Sequence, residues 1–302
     1  MLQRLLALSL VSASALAETM VDAGRAAKLV YPAPESPPIV CAAGDVRCML
    51  STRFSKSPAA QGVVLELYDQ YGDIVGVEEE HFMNGGFRGT LHIVPAWPTG
   101  PGELKHLHWV LGLRRELAAF EAAMNAKSVA PIRYRHRAIA WKFLRSVKRK
   151  TPSAYASNWE VGYNLDGSLN TSQTAVRDLL VHEIFHLNDQ GHGGWSLRTL
   201  APVVSSIFAR CKTDLACLKP YAPTTLKVRG GTYYAFQPNN GNMAAEYAAE
   251  LAARFFLEQR SAMRSEPFAP GAFKCKTPEN AHAWRALSEE FFGGVDLVAG
   301  CK

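Results

Sequence analysis

The chain has 302 residues, of which 48% are hydrophobic and 20% are charged, and its formal net charge is +6. This balance is typical of globular proteins and excludes an intrinsically disordered or collagen-like chain. The modest basic excess permits contact with anionic cell-surface polymers, but it is too small to require nucleic acid, so we expect no nucleic-acid partner.

The first 17 residues have the pattern of a secretory signal peptide. Arg4 supplies a positive charge, residues 5–13 are mostly apolar, and Ala15-Leu16-Ala17 matches a cleavage site. We therefore expect cleavage after Ala17 and a secreted or periplasmic protein. The apolar run is shorter than the ~20 residues that span a bilayer, and no later run is long enough, so no transmembrane segment is predicted.

Residues 18–100 are predicted to form an N-terminal extension of irregular structure and short strands. Residues 33–58 contain several prolines and a short loop between two cysteines, without a sustained hydrophobic period. Strands are predicted for 63–68, 74–77 and 87–94, because apolar residues there are bounded by turn-forming sequence.

Residues 101–302 are predicted to form one catalytic domain. Apolar residues recur every three or four positions over 104–124, which predicts an amphipathic helix. Two strands, at 132–143 and 159–163, precede a helix that begins near Thr171 or Ser172 and ends near Asn188. Another helix is predicted from Asn242 to about Arg260. This order of elements indicates an α+β fold with a small mixed sheet.

A basic run extends from Arg133 to Lys150, with eight Lys and Arg residues and no acidic residue. Arg133, Arg135 and Arg137 alternate, as side chains on one face of a strand do. We interpret them as the solvated face of a sheet.

The six cysteines are an even number, which fits disulfide formation outside the cytoplasm. The spacing favours three pairs, although it does not exclude other pairings: Cys41–Cys48, Cys211–Cys217 and Cys275–Cys301. A zinc–thiolate site is the alternative, and the absence of any C-x-x-C pair argues against it.

The most informative motif is His182-Glu183-Ile184-Phe185-His186, an H-E-x-x-H match inside a predicted helix. Residues four apart lie on one face of a helix, so both imidazoles are placed to bind one metal ion. Glu183 is placed to take a proton from a water on that ion. The motif therefore predicts a Zn²⁺ site and metal-assisted hydrolysis, with Glu183 as the general base.

A catalytic zinc ion needs a third protein ligand, and the sequence offers two candidates. Glu246 lies on the downstream helix, and Glu250 follows one turn later, where it is placed to accept from the free N–H of a ligating imidazole. His192 is the alternative, because its distance from the motif matches the ligand spacing of the metzincins. Metzincins usually have glycine where this chain has Asp189, so we favour Glu246.

The motif, together with Glu246-Tyr247-Ala248-Ala249-Glu250, resembles the gluzincins, and in particular the catalytic domain of the anthrax lethal factor family. The resemblance covers about residues 101–260. It implies a zincin-like metallopeptidase fold, in which one helix carries H-E-x-x-H and a downstream helix carries the third ligand.

The resemblance also implies roles for individual residues. A tyrosine that precedes the Glu246 helix would stabilise the oxyanion, and Tyr234 is our candidate, with its neighbour Tyr233 as a potential substrate contact. The zinc ligands would be His182, His186 and Glu246. Two further side chains, Asp189 and Glu250, would support these ligands.

Two further segments are expected to contact the substrate. Residues 159–163 precede the active helix, where zincins place the edge strand that pairs with an extended peptide. The loop 191–196 follows that helix, so His192 and Trp195 are candidates for substrate contact.

We expect an exported zinc metallopeptidase that acts on a peptide or protein substrate. One alternative is a cell-wall amidase or endopeptidase acting on peptidoglycan, which export and basic charge both suggest. Another is a catalytically idle binding module with a zincin fold, and the intact Glu183 argues against it.

Overall fold

The computed structural model describes residues 21–135, 137–268 and 271–301. The signal peptide predicted for residues 1–17 therefore lies outside the described residues. Three helices come first, α1 (Ala23–Val30), α2 (Val46–Arg53) and α3 (Pro58–Tyr71). Part of the segment predicted to be irregular thus forms α2, which begins where the Asp45 carboxylate accepts a hydrogen bond from the Cys48 amide.

The strand predicted for 63–68 is wrong, because these residues lie within α3. The buried positions of this helix are three and four residues apart, which is a helical period, and Pro58 occupies its first turn. They are Ala60, Val63, Val64 and Leu67. A short apolar run alone does not distinguish a strand from a buried helix. The spacing of the buried residues over the whole segment identifies the helix.

Six strands form one mixed sheet: β1 (Ile74–Val77), β2 (His81–Asn84), β3 (Thr90–Pro95), β4 (Ala140–Ser146), β5 (Ala154–Ser157) and β6 (Glu160–Asn164). The order is β2-β3-β4-β6-β5, and β1 pairs in parallel with the first part of β4. β4 and β6 are also parallel, whereas β2–β3, β3–β4 and β5–β6 are antiparallel pairs. The sheet therefore joins strands from both sides of position 100, and the domain boundary placed there stays a prediction.

The helix predicted for 104–124 is confirmed as α4 (Leu104–Asn125). The strand predicted for 132–143 begins only at Ala140, because the amides of Arg133 and Tyr134 donate to the Phe291 carbonyl instead of to a strand. The alternating arginines therefore do not form the face of a strand in the described residues, and that prediction is wrong.

The two long helices predicted for the catalytic domain are confirmed as α5 (Gln173–Gly191) and α9 (Met243–Met263). Ser172 and Asn242 cap them by accepting hydrogen bonds from amides of the first turn. The other helices of this half are α6 (Trp195–Thr199), α7 (Ala201–Cys211), α8 (Leu215–Leu218) and α10 (Pro278–Phe292). α5 packs against both α9 and β5, which places its central turns between them.

One hydrophobic core joins the N-terminal helices, the sheet and the long helices. The three predicted disulfides, Cys41–Cys48, Cys211–Cys217 and Cys275–Cys301, are confirmed. Within the described part of the chain, no helix is long and apolar enough to cross a membrane. The α+β class and the mixed sheet are thus confirmed, while the zincin-like arrangement stays a prediction.

Candidate metal centre

His182 and His186 lie one turn apart on α5 and direct their imidazoles to the same point. Their Nε2 atoms are 3.1 Å apart, and the rings meet edge to face with centroids 4.7 Å apart. Only 5% of the surface of His182 is exposed, so the pair lies at the floor of a cleft. The four-residue spacing thus places both imidazoles on one face of the helix, as the helical period predicts.

Glu246, in the first turn of α9, brings a carboxylate to the two imidazoles. Its Oε2 lies 3.4 Å from His182 Nε2, and its Oε1 lies 3.9 Å from His186 Nε2. The packing of α9 on α5 therefore joins residues that are far apart in the sequence into one group of three potential ligands.

Glu250, one turn further along α9, contacts the opposite side of the His182 ring. Its Oε1 is 3.1 Å from His182 Nδ1, although this contact is not aligned as a regular hydrogen bond. Its other oxygen accepts a hydrogen bond from the Thr224 hydroxyl. A carboxylate at Nδ1 favours a proton on that nitrogen, which leaves Nε2 as the nitrogen that can bind a metal ion.

The three donors fit a metal ion. Tetrahedral zinc ligands at about 2.1 Å from the ion are about 3.4 Å from one another. The two imidazole Nε2 atoms here are 3.1 Å apart, and one donor atom from each of the three residues lies within 4.8 Å of the other two. Glu246 Oε2 is buried and has no hydrogen-bond partner among the described residues, which is costly for a carboxylate without a cation. His182, His186 and Glu246 can therefore hold a metal ion.

His186 and Glu246 are in the forms that bind a metal ion. Burial, assisted by the charge of His182, lowers the pKa of His186 to about 4, so its imidazole is neutral. Burial alone would raise the pKa of Glu246, but the contact with His182 and the charges of His182, His186 and Arg88 together outweigh burial and lower it. Neutral imidazole and ionised carboxylate are the forms that bind divalent metals. Burial alone would lower the pKa of His182, but its contacts with Glu246 and Glu250 outweigh burial and raise that pKa well above its ordinary value, so a metal ion that binds there would displace a proton.

Glu183 lies beside this group and also lines the cleft. It is 6% exposed, and burial raises its pKa to about 7 against the opposing charge of His182. A carboxyl group that titrates near neutrality can both accept and return a proton. The residue predicted to be the general base is thus placed next to the potential ligands without belonging to them.

An open cleft of about 320 Å³ lies above the three potential ligands. Residues 83–86 and Arg88 form one wall and residues 154–156 of β5 form another, while Tyr234 and Asn240 contribute from the segment before α9. The Tyr234 ring centroid is 5.8 Å from that of His182. Tyr234 therefore lies beside the group that can hold a metal, and its role in stabilising an oxyanion stays a prediction.

The strand predicted as the substrate-binding edge is not an edge. β6 pairs with β4 on one side and with β5 on the other, so its backbone groups are already used. β5, which precedes it in the chain, is the last strand of the sheet on this side, and it lines the cleft. The prediction failed because proximity to the active helix in sequence does not determine the order of strands in a sheet.

His192 and Trp195 do not reach the cleft. His192 Nδ1 lies 2.7 Å from Glu290 Oε1, and its Nε2 lies 3.1 Å from the Arg133 carbonyl oxygen. Trp195 is buried, and its ring packs edge to face against Phe291. Neither side chain is placed to contact substrate or to join the group of potential ligands, because both are committed to packing against α10.

Tyr233 and Asp189 are likewise directed elsewhere. Tyr233 is buried outside the cleft, and the Lys227 ammonium group lies 5.0 Å from its ring centroid. The Asp189 carboxylate accepts hydrogen bonds from the amide and the hydroxyl of Ser196, at 2.7 and 2.6 Å. Asp189 thus fixes the turn between α5 and α6 and has no contact with His182 or His186 among the described residues.

The lining residues that sequence reasoning missed include Arg88, Tyr155, Gln190 and Asn240. Gln190 lies on α5 at a helical spacing of four from His186, so the same periodicity argument could have found it. The other three lie on segments outside the motif helices, and no local pattern marks them. Only the folded sheet brings Arg88 and Tyr155 to opposite walls of one cleft.

Comparison of the chain with family models, with curated proteins and with solved structures found no match. The resemblance to the gluzincins therefore stays a prediction, and functional inference depends on the site itself.

Proposed function

We propose that this chain is a zinc-dependent metallopeptidase. The supporting observation is the convergence of His182, His186 and Glu246 beside Glu183 at the floor of an open cleft. Three protein ligands leave one coordination position open, which is the arrangement of hydrolytic zinc sites, whereas structural sites are closed by four ligands. Two imidazoles favour zinc over magnesium and calcium, which prefer oxygen ligands.

Zinc in this site would act as a Lewis acid and would lower the pKa of a bound water. Glu183 is the group that accepts the proton, because its carboxyl group lies beside the ligands and its pKa is near 7. The same carboxyl group then returns the proton to the leaving amine. Its burial supports this exchange, since little bulk water reaches it.

Tyr234 supplies a hydrogen bond to the oxygen of the scissile carbonyl as negative charge develops there. Burial raises the pKa of Tyr234, so the phenol keeps its proton at neutral pH. The Arg88 guanidinium donates to the phenol oxygen at 3.5 Å, which leaves the hydroxyl hydrogen free to point into the cleft.

β5 offers a place for an extended peptide. It is the terminal strand of the sheet on the side of the cleft, and residues 154–156 line the cleft. A peptide that pairs with this edge gains backbone hydrogen bonds irrespective of its side chains. We also propose export, because three disulfides suit an oxidising compartment and residues 1–17 match a signal peptide.

The test combines metal analysis with hydrolysis of a mixed peptide library by the purified protein. We expect one zinc ion per chain, and peptide cleavage that a chelator removes and added zinc restores. Chelator-resistant cleavage would refute the role of the metal. Digestion of isolated peptidoglycan is the parallel arm, and release of fragments there without cleavage of library peptides would favour the cell-wall amidase.

A further inference from the structure

Arg88 is the one Lys or Arg residue among the described residues that line the cleft. It ends the short 3₁₀ turn Gly86–Arg88 between β2 and β3, and it is half-buried. Its guanidinium group donates to Asn240 Oδ1 at 3.1 Å and to the Tyr234 hydroxyl at 3.5 Å. Both of these partners are neutral.

The turn that carries Arg88 is held against the segment before α9. The Phe87 amide donates to the Asn239 carbonyl at 2.8 Å. Gly86 has a φ of +63°, and a Cβ there would lie 2.3 Å from the Asn239 carbonyl oxygen, so only glycine permits this close approach. The guanidinium group is therefore held at a defined position in the cleft wall.

Arg88 differs from most half-buried or buried arginines because no acidic side chain of the described residues forms an ion pair with it. Arg114 pairs with Asp73, and Arg145 pairs with Glu103. Arg88 has only its two neutral acceptors, which occupy one N–H on each terminal nitrogen. A guanidinium group carries five N–H donors, so donors remain for a further acceptor.

The environment of the Arg88 guanidinium group favours an anionic acceptor. The positive charge of Arg88 acts on Glu183 and Glu246, but neither carboxylate forms an ion pair with it among the described residues, so no carboxylate occupies its free donors. A planar carboxylate matches the geometry of a guanidinium group, and charge-assisted hydrogen bonds are roughly twice as strong as neutral ones.

We propose that Arg88 binds a carboxylate group of the substrate, so that the cleft selects peptides with a carboxylate close to the scissile bond. The carboxylate belongs either to an acidic side chain or to a free C-terminus. This inference rests on the proposed peptidase function and adds the substrate class to it.

A second group of cations near Arg88 provides a control. The turn Lys148-Arg149-Lys150 is exposed, and Arg149 donates to the backbone carbonyl of Arg88 at 2.9 Å. Lys150 lies outside the lining of the cleft. A general positive field would depend on Lys150 about as much as on Arg88, whereas a binding site for one carboxylate depends on Arg88.

The experiment measures peptide binding in the zinc-loaded Glu183→Gln variant, which is expected to bind without turnover. In the first arm, peptides with blocked termini carry a single Glu at each position in turn, and each is matched to the same peptide with Gln. In the second arm, neutral peptides with a free C-terminal carboxylate are matched to their amides. Calorimetry gives the ratio of dissociation constants for each matched pair.

We expect at least one carboxylate peptide to bind about tenfold more tightly than its neutral match, in one of the two arms. Adding Arg88→Gln should bring that ratio close to one at unchanged zinc content, whereas adding Lys150→Gln should preserve it. Arg88→Lys should restore part of the ratio, because it keeps the charge but loses the planar fork.

Two results would overturn the inference. The first is a ratio near one for every matched pair, and the second is a ratio that survives Arg88→Gln. If Arg88 only positioned Tyr234 and Asn240, its removal would weaken carboxylate and neutral peptides equally and leave the ratio unchanged. Because binding is measured without turnover, failure of the carboxylate preference is distinguishable from failure of the peptidase reaction itself.

Discussion

His182 and His192 lie at two ends of the same stretch of chain, and each has a glutamate within about hydrogen-bonding distance. His182 Nδ1 is 3.1 Å from Glu250, and His192 Nδ1 is 2.7 Å from Glu290. The difference lies in the other ring nitrogen. His182 Nε2 faces His186 and Glu246, while His192 Nε2 is directed at a backbone carbonyl.

This comparison shows what separates a potential metal ligand from a structural histidine. A histidine is placed to be a ligand when two conditions are met. One ring nitrogen contacts a partner that orients the ring, and the other faces a position that further potential ligands also face. His192 meets the first condition and fails the second, because its Nε2 faces the Arg133 backbone carbonyl and, among the described residues, no further potential ligand is directed at it.

The largest expected effect is on zinc binding by two alanine variants. Glu246→Ala should weaken zinc binding more than about a hundredfold, because loss of a direct ligand exceeds the 10- to 100-fold cost of losing an outer partner. His192→Ala should leave the zinc affinity unchanged. Competition with a chromogenic chelator measures both constants. Loss of zinc from His192→Ala alone would reverse the comparison and support the metzincin ligand set.

Glu183→Gln should reduce peptide hydrolysis at least about 100-fold while zinc content stays at the wild-type level, because it removes the proton acceptor and leaves the ligands in place. Initial rates and metal analysis on one preparation give both quantities. Full activity in this variant would exclude Glu183 as the base. Loss of zinc from this variant would instead indicate that Glu183 is itself a zinc ligand.

The two histidine–glutamate contacts can be compared directly through their carboxylates. Glu250→Ala should weaken zinc binding by about 10- to 100-fold, because the proton on His182 Nδ1 loses its acceptor. Glu290→Ala removes the equivalent contact at His192 and should not change the zinc affinity. Equal effects of the two variants would show that the contact with Glu250 does not orient a ligand.

His106 represents a third environment, in which a buried imidazole meets the neutral Tyr163 hydroxyl at 2.8 Å. Burial lowers its pKa to about 4. As the pH falls from 6.5 to 4, the unfolded state takes up this proton and most of the folded state does not, so the free energy of unfolding falls, by at most about 3 kcal/mol. Denaturant unfolding measured across this range should show a steeper pH dependence for the wild type than for His106→Gln.

The control for this experiment is the exposed His282. His282→Gln should preserve the wild-type pH dependence, since this variant leaves the buried His106 in place. If His106→Gln also preserved it, burial of His106 would not contribute to acid sensitivity.

Much of the local structure was predictable from neighbouring residues. The start of α9 was predicted at Asn242 and that of α5 near Thr171 or Ser172, and Ser172 is the cap in the structure. Such predictions succeed because a capping side chain accepts from amides within the next turn. The disulfides were predicted from spacing alone. The wrong prediction of a strand at 63–68 also comes from local sequence, because a six-residue, mostly apolar run fits the period of a strand as well as that of a helix.

The sequence by itself determined that two imidazoles share one face of a helix with a glutamate beside them, since a helical period depends only on adjacent residues. Tertiary structure decided which carboxylate faces those imidazoles, which strand is the edge, and that Arg88 enters the cleft. Those three outcomes depend on how α9 packs on α5 and how β2, β3 and β5 are ordered in the sheet. Such long-range contacts form through the packing of the whole core, so no short stretch of sequence predicts them.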